Sequence, residues 1–434
     1  MSATWLLGLA LFAGMALPFV LRARRRERAS EAAHEVARTA GLHLPLSLHP
    51  VVDAERCIGT SACVSVCPEH VIGFRNGQAF ALAPACCIGH GLCERVCPVG
   101  AIQLVIGTAT RGVELPRLTA GFETNVPGLH VIGELGGMGL IRNAFEQGRQ
   151  CIEQVAPRLA RRPGDLLDLV VVGAGPAGLA ASLHAQRRGL RFATLEREDI
   201  GGTVRHYPRR KLVLSDTLEI PGYGKIPAKE IRKEELVDLW EDVVARTGLA
   251  ITTGQEVTSI RREPDGTLCV TSPAASLHAQ HVVLAIGRRG VPRKLGVPGE
   301  AAAHVAYGLA EPEAFTDEPI LVVGGGDAAV EAALALAAQP GNLVRLSYRG
   351  AQLARVKPAN RARFEAAVRA GQLEPLWESH VRAIGADHVR IETAAGEQRL
   401  PATRVFILIG GELPTAFLRA CGVEIETKFG TPLR

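Results

Sequence analysis

The sequence predicts an α/β protein with two strand–turn–helix units of one kind, preceded by a small α+β module and one apolar N-terminal helix. Glycine-rich turns over residues 173–178 and 324–329 each follow an apolar strand and open a helix. Seven of the ten cysteines lie between residues 57 and 97, and six of these form two similar repeats. Residues 5–21 carry no charged side chain. A chain of 434 residues has room for about three domains, which agrees with this organisation.

The N-terminus has the pattern of an uncleaved membrane anchor. The apolar run of residues 5–21 is about long enough for a slightly short or tilted transmembrane helix. Arginines follow this run between residues 22 and 28, whereas a cleavable signal peptide, the alternative, carries its positive charge first. The positive-inside rule then predicts a single-pass protein of the cell inner membrane, with its bulk in the cytoplasm. Residues 1–28 are assigned to the anchor and residues 29–49 to a stalk.

The charge of the chain argues against one class of partner. Its net charge of +5 is small for this length, and much of the excess lies in the arginines that follow the apolar run. An extended basic surface is therefore not expected, and nucleic acid is excluded from the predicted partners.

Residues 50–106 contain the cysteine repeat. The first copy ends in Cys67-Pro68, and the second ends thirty residues later in Cys97-Pro98. Both copies resemble the C-x2-C-x2-C-x3-C-P run of bacterial dicluster ferredoxins, in which the fourth cysteine of one repeat ligates the cluster of the other. The resemblance implies two iron–sulfur clusters. Its ligand sets are Cys57, Cys63 and Cys97 for one cluster, and Cys87, Cys93 and Cys67 for the other.

Each repeat departs from that pattern at one position. Thr60 and His90 stand where dicluster ferredoxins have their second cysteine. Three thiolates can hold a 3Fe-4S cluster, or a 4Fe-4S cluster whose last iron takes His90, a hydroxide or the neighbouring Cys86. An imidazole in place of a thiolate reduces negative charge and tends to raise the reduction potential. A zinc ion held by three cysteines and a histidine is the alternative for the same residues.

The first strand–turn–helix unit carries the dinucleotide-binding fingerprint in its required context. Its turn reads Gly-Ala-Gly-Pro-Ala-Gly, and Glu196 lies at the end of the next strand. The glycines let the backbone approach a pyrophosphate, the helix N-terminus faces its charge, and the carboxylate takes the ribose hydroxyls. The residues assigned to this nucleotide are Gly173, Gly175, Pro176, Ala177, Gly178 and Glu196.

The second unit differs from the first at the acidic position. Its turn reads Gly-Gly-Gly-Asp-Ala-Ala, and its next strand ends in Ser-Tyr-Arg without a carboxylate. Guanidinium groups there suit a 2′-phosphate, which favours NADPH over NADH, unless these cations only form a solvated face. The residues assigned to NAD(P)H are Gly324, Gly326, Asp327, Ala328, Arg349 and Arg355.

Two such units in this order resemble the thioredoxin-reductase-like flavoproteins, which include ferredoxin–NADP and bacillithiol disulfide reductases. The resemblance covers residues 108–434. It implies bound FAD, contacted by Ala285 and Gly287 at a strand end and by Gly201 and Gly202 in a loop. The predicted fold class is therefore an α/β flavoprotein with two Rossmann-like dinucleotide-binding domains, an N-terminal α+β ferredoxin-like module and one transmembrane helix.

The segment that closes the flavin domain in that family has a counterpart upstream of the first unit. Residues 123–134 resemble the family's Thr-x-x-Pro-Gly turn and the strand that ends beside the flavin ribityl chain, with glutamate in place of aspartate. This resemblance predicts a circular permutation, which nearby chain termini make tolerable. Residues 107–162 would close the FAD domain of residues 166–300, residues 301–412 would bind NAD(P)H, and residues 413–434 would return toward the FAD domain. The residues added to the FAD site are Gly133, Glu134, Met138 and Ile141.

These features predict an electron-transferring oxidoreductase. NADPH or NADH would reduce FAD, and the clusters would pass electrons to an acceptor at the membrane or in a protein, such as a quinone, a cytochrome or a ferredoxin. No catalytic acid, base or nucleophile is assigned, because hydride transfer needs none. A homodimer is one expected assembly. The alternatives are a ferredoxin–NADP reductase running toward NADP reduction, a redox sensor, and a dithiol reductase, which is disfavoured because residues 305–320 lack cysteine.

Overall fold

The computed structural model describes residues 3–39, 42–43, 45, 48–87, 89–110, 112–137, 139–160, 164–207, 212–215, 217–227, 229–288, 292–353 and 356–432. The chain divides into two compact units. Met1–Val113 together with Lys428–Arg434 forms the N-terminal unit, and Glu114–Thr427 forms the larger unit.

The N-terminal unit combines helices with short antiparallel strands. Its elements are helices α1 (Ala3–Thr39), α2 (Ala62–Val66) and α3 (Leu92–Arg95), and strands β1 (Leu48–Val52), β2 (Ile72–Arg75), β3 (Gln78–Ala81) and β4 (Ile102–Ile106). Strand β4 lies between β1 and the terminal strand Thr431–Pro432, and both pairings are antiparallel. Strands β2 and β3 form a hairpin. Each cysteine repeat thus contributes one short helix, α2 or α3, and the strand that follows it.

The C-terminal half of α1 packs on the β2–β3 hairpin. Ser30 Oγ accepts a hydrogen bond from the backbone N–H of Phe74 at 3.1 Å, and Glu27 Oε1 accepts one from Gly77 at 2.9 Å. The rings of His34 and Phe80 meet edge-to-face with their centroids 5.2 Å apart. The first residues of the predicted stalk therefore contribute packing contacts to the N-terminal unit.

The prediction of a membrane-spanning helix is wrong. Within the described part of the chain, no helix has both the length and the apolar character that a bilayer crossing requires. The apolar run contains Gly8, Gly14 and Pro18 and ends at Arg22, so it falls short of the about 20 apolar residues that span a hydrocarbon core. The single-pass inner-membrane localisation that was predicted from this helix is contradicted with it.

The larger unit has one mixed sheet, one parallel sheet and several small antiparallel sheets, together with six helices in its described part. Its helices are α4 (Ile141–Val155), α5 (Pro176–Arg187), α6 (Lys233–Thr247), α7 (Asp327–Ala337), α8 (Pro358–Arg369) and α9 (Thr415–Ala420). Its strands, including two that reach the unit boundary, are β5 (Val113–Pro116), β6 (Leu129–Val131), β7 (Leu167–Val172), β8 (Phe192–Leu195), β9 (Leu212–Ser215), β10 (Leu218–Ile220), β11 (Gly224–Ile226), β12 (Lys229–Arg232), β13 (Ser259–Arg262), β14 (Leu268–Thr271), β15 (Ser276–Leu284), β16 (Val305–Ala306), β17 (Pro319–Val323), β18 (Leu343–Ser347), β19 (Leu373–Leu376), β20 (His380–Ile384), β21 (His388–Thr393), β22 (Gly396–Pro401), β23 (Arg404–Ile407) and β24 (Ile425–Lys428).

The first sheet of the larger unit has the order β13-β14-β15-β7-β8, and β6 joins it beside β15. Leu284 of β15 is aligned in parallel with Val172 of β7 on one side and with Val131 of β6 on the other. Helix α4 packs closely on α5, because a Cβ at Gly148 would lie 2.5 Å from the carbonyl oxygen of Ala177. The segment before β7 therefore supplies a buried strand and a tightly packed helix to the first Rossmann-like fold.

The second sheet of the larger unit is parallel and has the order β16-β23-β17-β18-β19. Strands β20, β21 and β22 form a separate antiparallel sheet. Helix α7 begins at Asp327, directly after the second glycine turn, as helix α5 begins after the first. Both glycine turns thus lie at the carboxyl end of a central parallel strand, where α/β sheets bind nucleotides. The predicted α/β architecture with two dinucleotide-binding folds is confirmed.

Candidate functional site

A cavity of about 700 Å³ opens at the carboxyl ends of β7, β8 and β15 in the larger unit. The first glycine turn, Glu196, residues 285–287 and the Gly133-Glu134 pair from the segment before β7 all line it. A volume of this size suits a large cofactor. The cavity brings together most of the residues that the sequence assigned to FAD.

The three glycines of the first turn have different roles. Gly173 has a φ of +104°, and a Cβ there would lie 2.6 Å from the carbonyl oxygen of Ala285. A Cβ at Gly178 would lie 1.8 Å from the carbonyl oxygen of Gly173, so this glycine lets α5 pack against the strand. Gly175 lines the cavity, and its nearest neighbour would be Gly202 Cα at 3.9 Å. Its missing side chain leaves the backbone open to a pyrophosphate.

Glu196 lies at the rim of this turn and is buried. Its Oε2 accepts a hydrogen bond from the N–H of Ala174 at 2.6 Å, and its Oε1 accepts one from the N–H of Glu198 at 2.9 Å. These two bonds hold the carboxylate in place. Each oxygen keeps a further lone pair, which could accept a ribose hydroxyl.

The segment before β7 contributes Gly133, Glu134 and Ile141 to the cavity lining. The N–H of Gly133 donates to Oε1 of the buried Gln147 at 2.7 Å, which orients this peptide at the cavity wall. Burial lowers the pKa of Arg288, an effect that the nearby carboxylate of Glu134 opposes. Met138, which was also assigned to FAD, lies outside the described residues.

Several residues of this site were missed by sequence reasoning. Tyr307 and Phe417 line the cavity, although they are far from the glycine turn in sequence. The Tyr307 hydroxyl donates to Glu300 Oε1 at 2.9 Å, and Glu300 also accepts the N–H of Leu295 at 2.7 Å. Burial raises the pKa of Glu300, but these hydrogen bonds outweigh it and the pKa lies below its usual value. No local pattern marks such residues, because only the tertiary fold brings them to the cavity.

The second glycine turn is equally restricted by its neighbours. Gly324 has a φ of +149°, and a Cβ there would lie 2.4 Å from the carbonyl oxygen of Leu408. Asp327 Oδ1 accepts hydrogen bonds from the N–H of Lys357 at 3.0 Å and from Asn360 Nδ2 at 2.8 Å. This carboxylate therefore joins the start of α7 to the start of α8.

The remaining residues assigned to NAD(P)H lie around this turn. Gly326 precedes α7, and Ala328 is exposed in its first turn. Arg349 is exposed at the end of β18, two residues after Ser347. Arg355 lies outside the described residues.

The cysteine repeats line two small cavities in the N-terminal unit, each of about 20 Å³. Cys57, Cys63 and Cys97 line one together with Thr60, and we call it the first-repeat cavity. Cys87, Cys93 and Cys67 line the other together with His90, and we call it the second-repeat cavity. Each cavity therefore contains two cysteines of one repeat and the last cysteine of the other.

The surroundings of these cysteines fit iron–sulfur clusters. Backbone N–H groups of Val71 and Ala101 point at Cys67 Sγ and Cys97 Sγ, at 3.4 and 3.2 Å. Such N–H···S contacts stabilise thiolates and tune cluster potentials. Among the described residues, no group of three or more His, Cys, Asp or Glu side chains is arranged to hold a single metal ion.

The thiols interact with one another across the repeats. The pKa of Cys87 is raised to about 12, mainly by burial and in smaller part by repulsion from the nearby Cys93 and Cys67. Burial likewise raises the pKa of Cys93 to about 11, with added repulsion from Cys67. Without a cation these thiols hold their protons near neutral pH, and iron binding would release them.

The model of the pyridine nucleotide-disulphide oxidoreductase family matches residues 170–433. The chain belongs to this family. Residues 56–101 of this pyridine nucleotide-disulphide oxidoreductase match a 4Fe-4S dicluster domain. The resemblances to thioredoxin-reductase-like flavoproteins and to dicluster ferredoxins are therefore confirmed, as is the predicted enzyme class of a nicotinamide-dependent flavin and iron–sulfur oxidoreductase.

Known relatives of this oxidoreductase cover its larger part. Ferredoxin–NADP reductase of Ignicoccus hospitalis is 31% identical over 268 residues, which are 60% of this chain and 83% of the relative. Bacilliredoxin reductase of Bacillus subtilis is 27% identical over 271 residues, 61% of this chain and 82% of the relative. The solved bacillithiol disulfide reductase of Staphylococcus aureus shares the fold, with a TM-score of 0.54 at 22% identity over 61% of this chain and 82% of that structure.

Proposed function

We propose that this oxidoreductase takes electrons from NADPH at FAD and delivers them through two iron–sulfur clusters to a small electron-carrier protein. When bound, FAD accepts a hydride and the clusters pass single electrons, so one NADPH reduces two one-electron carriers and yields NADP⁺ and a proton. The observation that carries the proposal is the pair of cysteine-lined cavities, each drawn from both repeats, in a chain that also has a cofactor-sized cavity. Relatives named ferredoxin–NADP reductase support a ferredoxin-type carrier.

The chain's own residues would hold FAD rather than react with substrate. Gly175 gives the pyrophosphate access to the backbone, and Glu196 accepts the ribose hydroxyls. Gln147 keeps the Gly133 peptide at the cavity wall, and the half-buried Arg288 adds a positive charge beside Glu134.

The proposed preference for NADPH over NADH rests on residues near the second glycine turn. Arg349 is exposed at the end of β18, the position at which NAD-specific folds place a carboxylate. A guanidinium there can form charge-assisted hydrogen bonds with a 2′-phosphate, which NADH lacks. Arg355, six residues later in the sequence, would add a second cation.

We also propose the circular permutation of the FAD domain. Strand β6 and helix α4 precede β7 in the chain, yet they pack beside β15 and α5. The family model begins only at residue 170, and the Ignicoccus relative aligns over 83% of its own length. A relocated closing segment accounts for both facts, since an alignment cannot follow a segment that has changed its place in the order.

A protein carrier is proposed rather than a quinone or a membrane cytochrome, because those acceptors were expected only from the predicted anchor. The cluster types stay open: the first-repeat cavity offers three thiolates, and the second offers three thiolates and His90. A homodimer stays a prediction.

The proposal is tested on anaerobically prepared full-length chain. We expect one FAD per chain, iron with acid-labile sulfide, and NADPH-dependent reduction of a ferredoxin. Electron paramagnetic resonance separates 3Fe-4S from 4Fe-4S clusters. Zinc without sulfide would contradict the cluster assignment, and bound flavin without turnover toward any acceptor would favour a redox sensor. Clusters with potentials far below the NADPH couple would favour electron flow toward NADP.

A further inference from the structure

Helix α1 presents an unbalanced cluster of positive charge, which we call the arginine segment. Its five arginines are Arg22, Arg24, Arg25, Arg26 and Arg28. All five are exposed, and among the residues that the structure describes no carboxylate forms an ion pair with any of them. Like charges four residues apart on a helix repel each other, so the arrangement weakens the isolated helix. A partner with negative charge would relieve that repulsion.

The arginine segment is joined to the first-repeat cavity by a short chain of contacts. Glu27, which lies within the segment, accepts a hydrogen bond from the N–H of Gly77 at 2.9 Å. The carbonyl oxygen of Gly77 lies so close to Gly59 that a Cβ on Gly59 would be 2.2 Å from it. Gly59 in turn lines the first-repeat cavity. Two residue-to-residue contacts therefore separate the arginine segment from the wall of this cavity.

The first-repeat cavity also has an apolar mouth. Ile58 and Val99 line it, and they are 66% and 39% exposed. The apolar residues that line the second-repeat cavity include Val71, Ile72 and Leu104, and all three of these are buried. Exposed apolar side chains beside a charged surface mark a docking site for a protein partner.

We propose that electrons leave the chain at the first-repeat cavity, and that the arginine segment with Ile58 and Val99 is the docking surface of a small acidic electron-carrier protein. This inference rests on the proposed function. Complementary charge would steer the carrier, and the small apolar patch would let it leave again after each turnover. A cluster held by Cys57, Cys63 and Cys97 would give up one electron in each encounter, the carrier would be reduced by that electron, and no bond would be made or broken.

A charge-reversal variant tests the docking surface. R24E/R25E changes two exposed arginines and leaves Glu27 and its flanking arginines in place. The rate constant for reduction of a small acidic 2Fe-2S ferredoxin is measured by stopped flow at increasing sodium chloride. We expect a loss of about tenfold at low salt and a weaker salt dependence than in the parent, as for other electrostatically steered encounters. NADPH oxidation with menadione, a small neutral acceptor, should not change.

The matched control reverses two arginines of the larger unit. Arg261 and Arg262 are exposed in β13, so R261E/R262E alters net charge equally. It should leave ferredoxin reduction unchanged. Equal rates for R24E/R25E and the parent, or equal losses in both variants, would overturn the docking proposal.

A direct binding measurement tests the docking surface independently of the proposed function. Titration calorimetry with oxidised ferredoxin needs no NADPH turnover, and R24E/R25E should bind at least tenfold more weakly than the parent. Parent protein that sediments with phosphatidylglycerol vesicles but does not bind ferredoxin would contradict a protein partner. Absence of NADPH oxidation with menadione would refute the proposed function, whereas its presence without ferredoxin binding would refute only the docking surface.

Discussion

The two cysteine repeats share one backbone design but differ in the residues around it. In both, a glycine with positive φ, Gly59 or Gly89, precedes the short helix, and the residue before that helix is left-handed. The first-repeat cavity carries Thr60 and an exposed apolar mouth, whereas the second carries His90. The two repeats thus share a backbone arrangement, and their side chains make the two cavities unequal.

The two glycine turns of the larger unit show the same relation. Both sit at the end of a parallel strand, and both contain a glycine whose Cβ would collide with a carbonyl oxygen of a neighbouring strand. Glu196 directly follows the strand after the first turn, and Arg349 lies two residues beyond the strand after the second. Backbone geometry is common to both copies, and the residue that would contact the nucleotide distinguishes them.

The largest expected effect comes from removing single cysteines, which tests whether each cluster takes ligands from both repeats. C63S and C97S should lose the same cluster, because both cysteines line the first-repeat cavity although they belong to different repeats. C93S and C67S should lose the other cluster. Iron content and electron paramagnetic resonance of anaerobic samples measure the loss. If C97S instead matches C93S, each repeat holds its own cluster and the exchange between them is wrong.

The second test makes the two cavities alike. T60C adds a fourth thiolate to the first-repeat cavity, so we expect a 4Fe-4S cluster there with a lower reduction potential. H90A removes the imidazole from the second, which should then resemble the first in its spectrum. Potentiometric titration followed by electron paramagnetic resonance checks both changes. H90A with an unchanged spectrum and potential would mean that His90 is no ligand, and T60S serves as the control that adds no thiolate.

Repeats and local motifs in the sequence predicted the two-fold α/β architecture, whereas the pattern at the N-terminus led to a wrong prediction of a membrane anchor. The glycine turns were predicted from their position after apolar strands, and the cross-repeat sets of cysteines were implied by the resemblance to dicluster ferredoxins. Tyr307 and Phe417 were missed, since only the folding of distant segments brings them to the cavity. The anchor was predicted from the uncharged run and the arginines that follow it, and no helix of the described chain supports it.

The next effect is smaller and concerns the second glycine turn. R349A should weaken NADPH binding by about 1–3 kcal/mol and leave NADH nearly unaffected, as expected for the loss of a charge-assisted hydrogen bond. Steady-state kinetics with both cofactors measures the ratio of their kcat/KM values. FAD content is the control, because the FAD site is predicted at the first glycine turn, and Arg349 belongs to the second. Equal losses for the two cofactors would show that Arg349 does not contact the 2′-phosphate.

The smallest effect concerns the residue that precedes each short cluster helix. Ser61 has a φ of +59° and Gly91 a φ of +70°, so equivalent positions use different residues for the same left-handed backbone. A side chain costs about 1–2 kcal/mol in that conformation. Ser61 makes no capping hydrogen bond with its side chain, and a Cβ at Gly91 would only meet Leu104 Cδ1 at 3.8 Å. Neither position is therefore restricted by contacts, and conformation alone should decide the outcome.

The reciprocal pair S61G and G91S tests this difference. G91S should lower the free energy of unfolding by about 1 kcal/mol. S61G should raise it by less, because glycine also gains conformational freedom in the unfolded chain. Thermal unfolding of the cluster-loaded proteins under anaerobic conditions measures both changes, and cluster content verifies that loading is equal. Destabilisation by S61G would mean that the serine has a stabilising contact in the first repeat, and the two repeats would then differ in their backbone support as well as in their ligands.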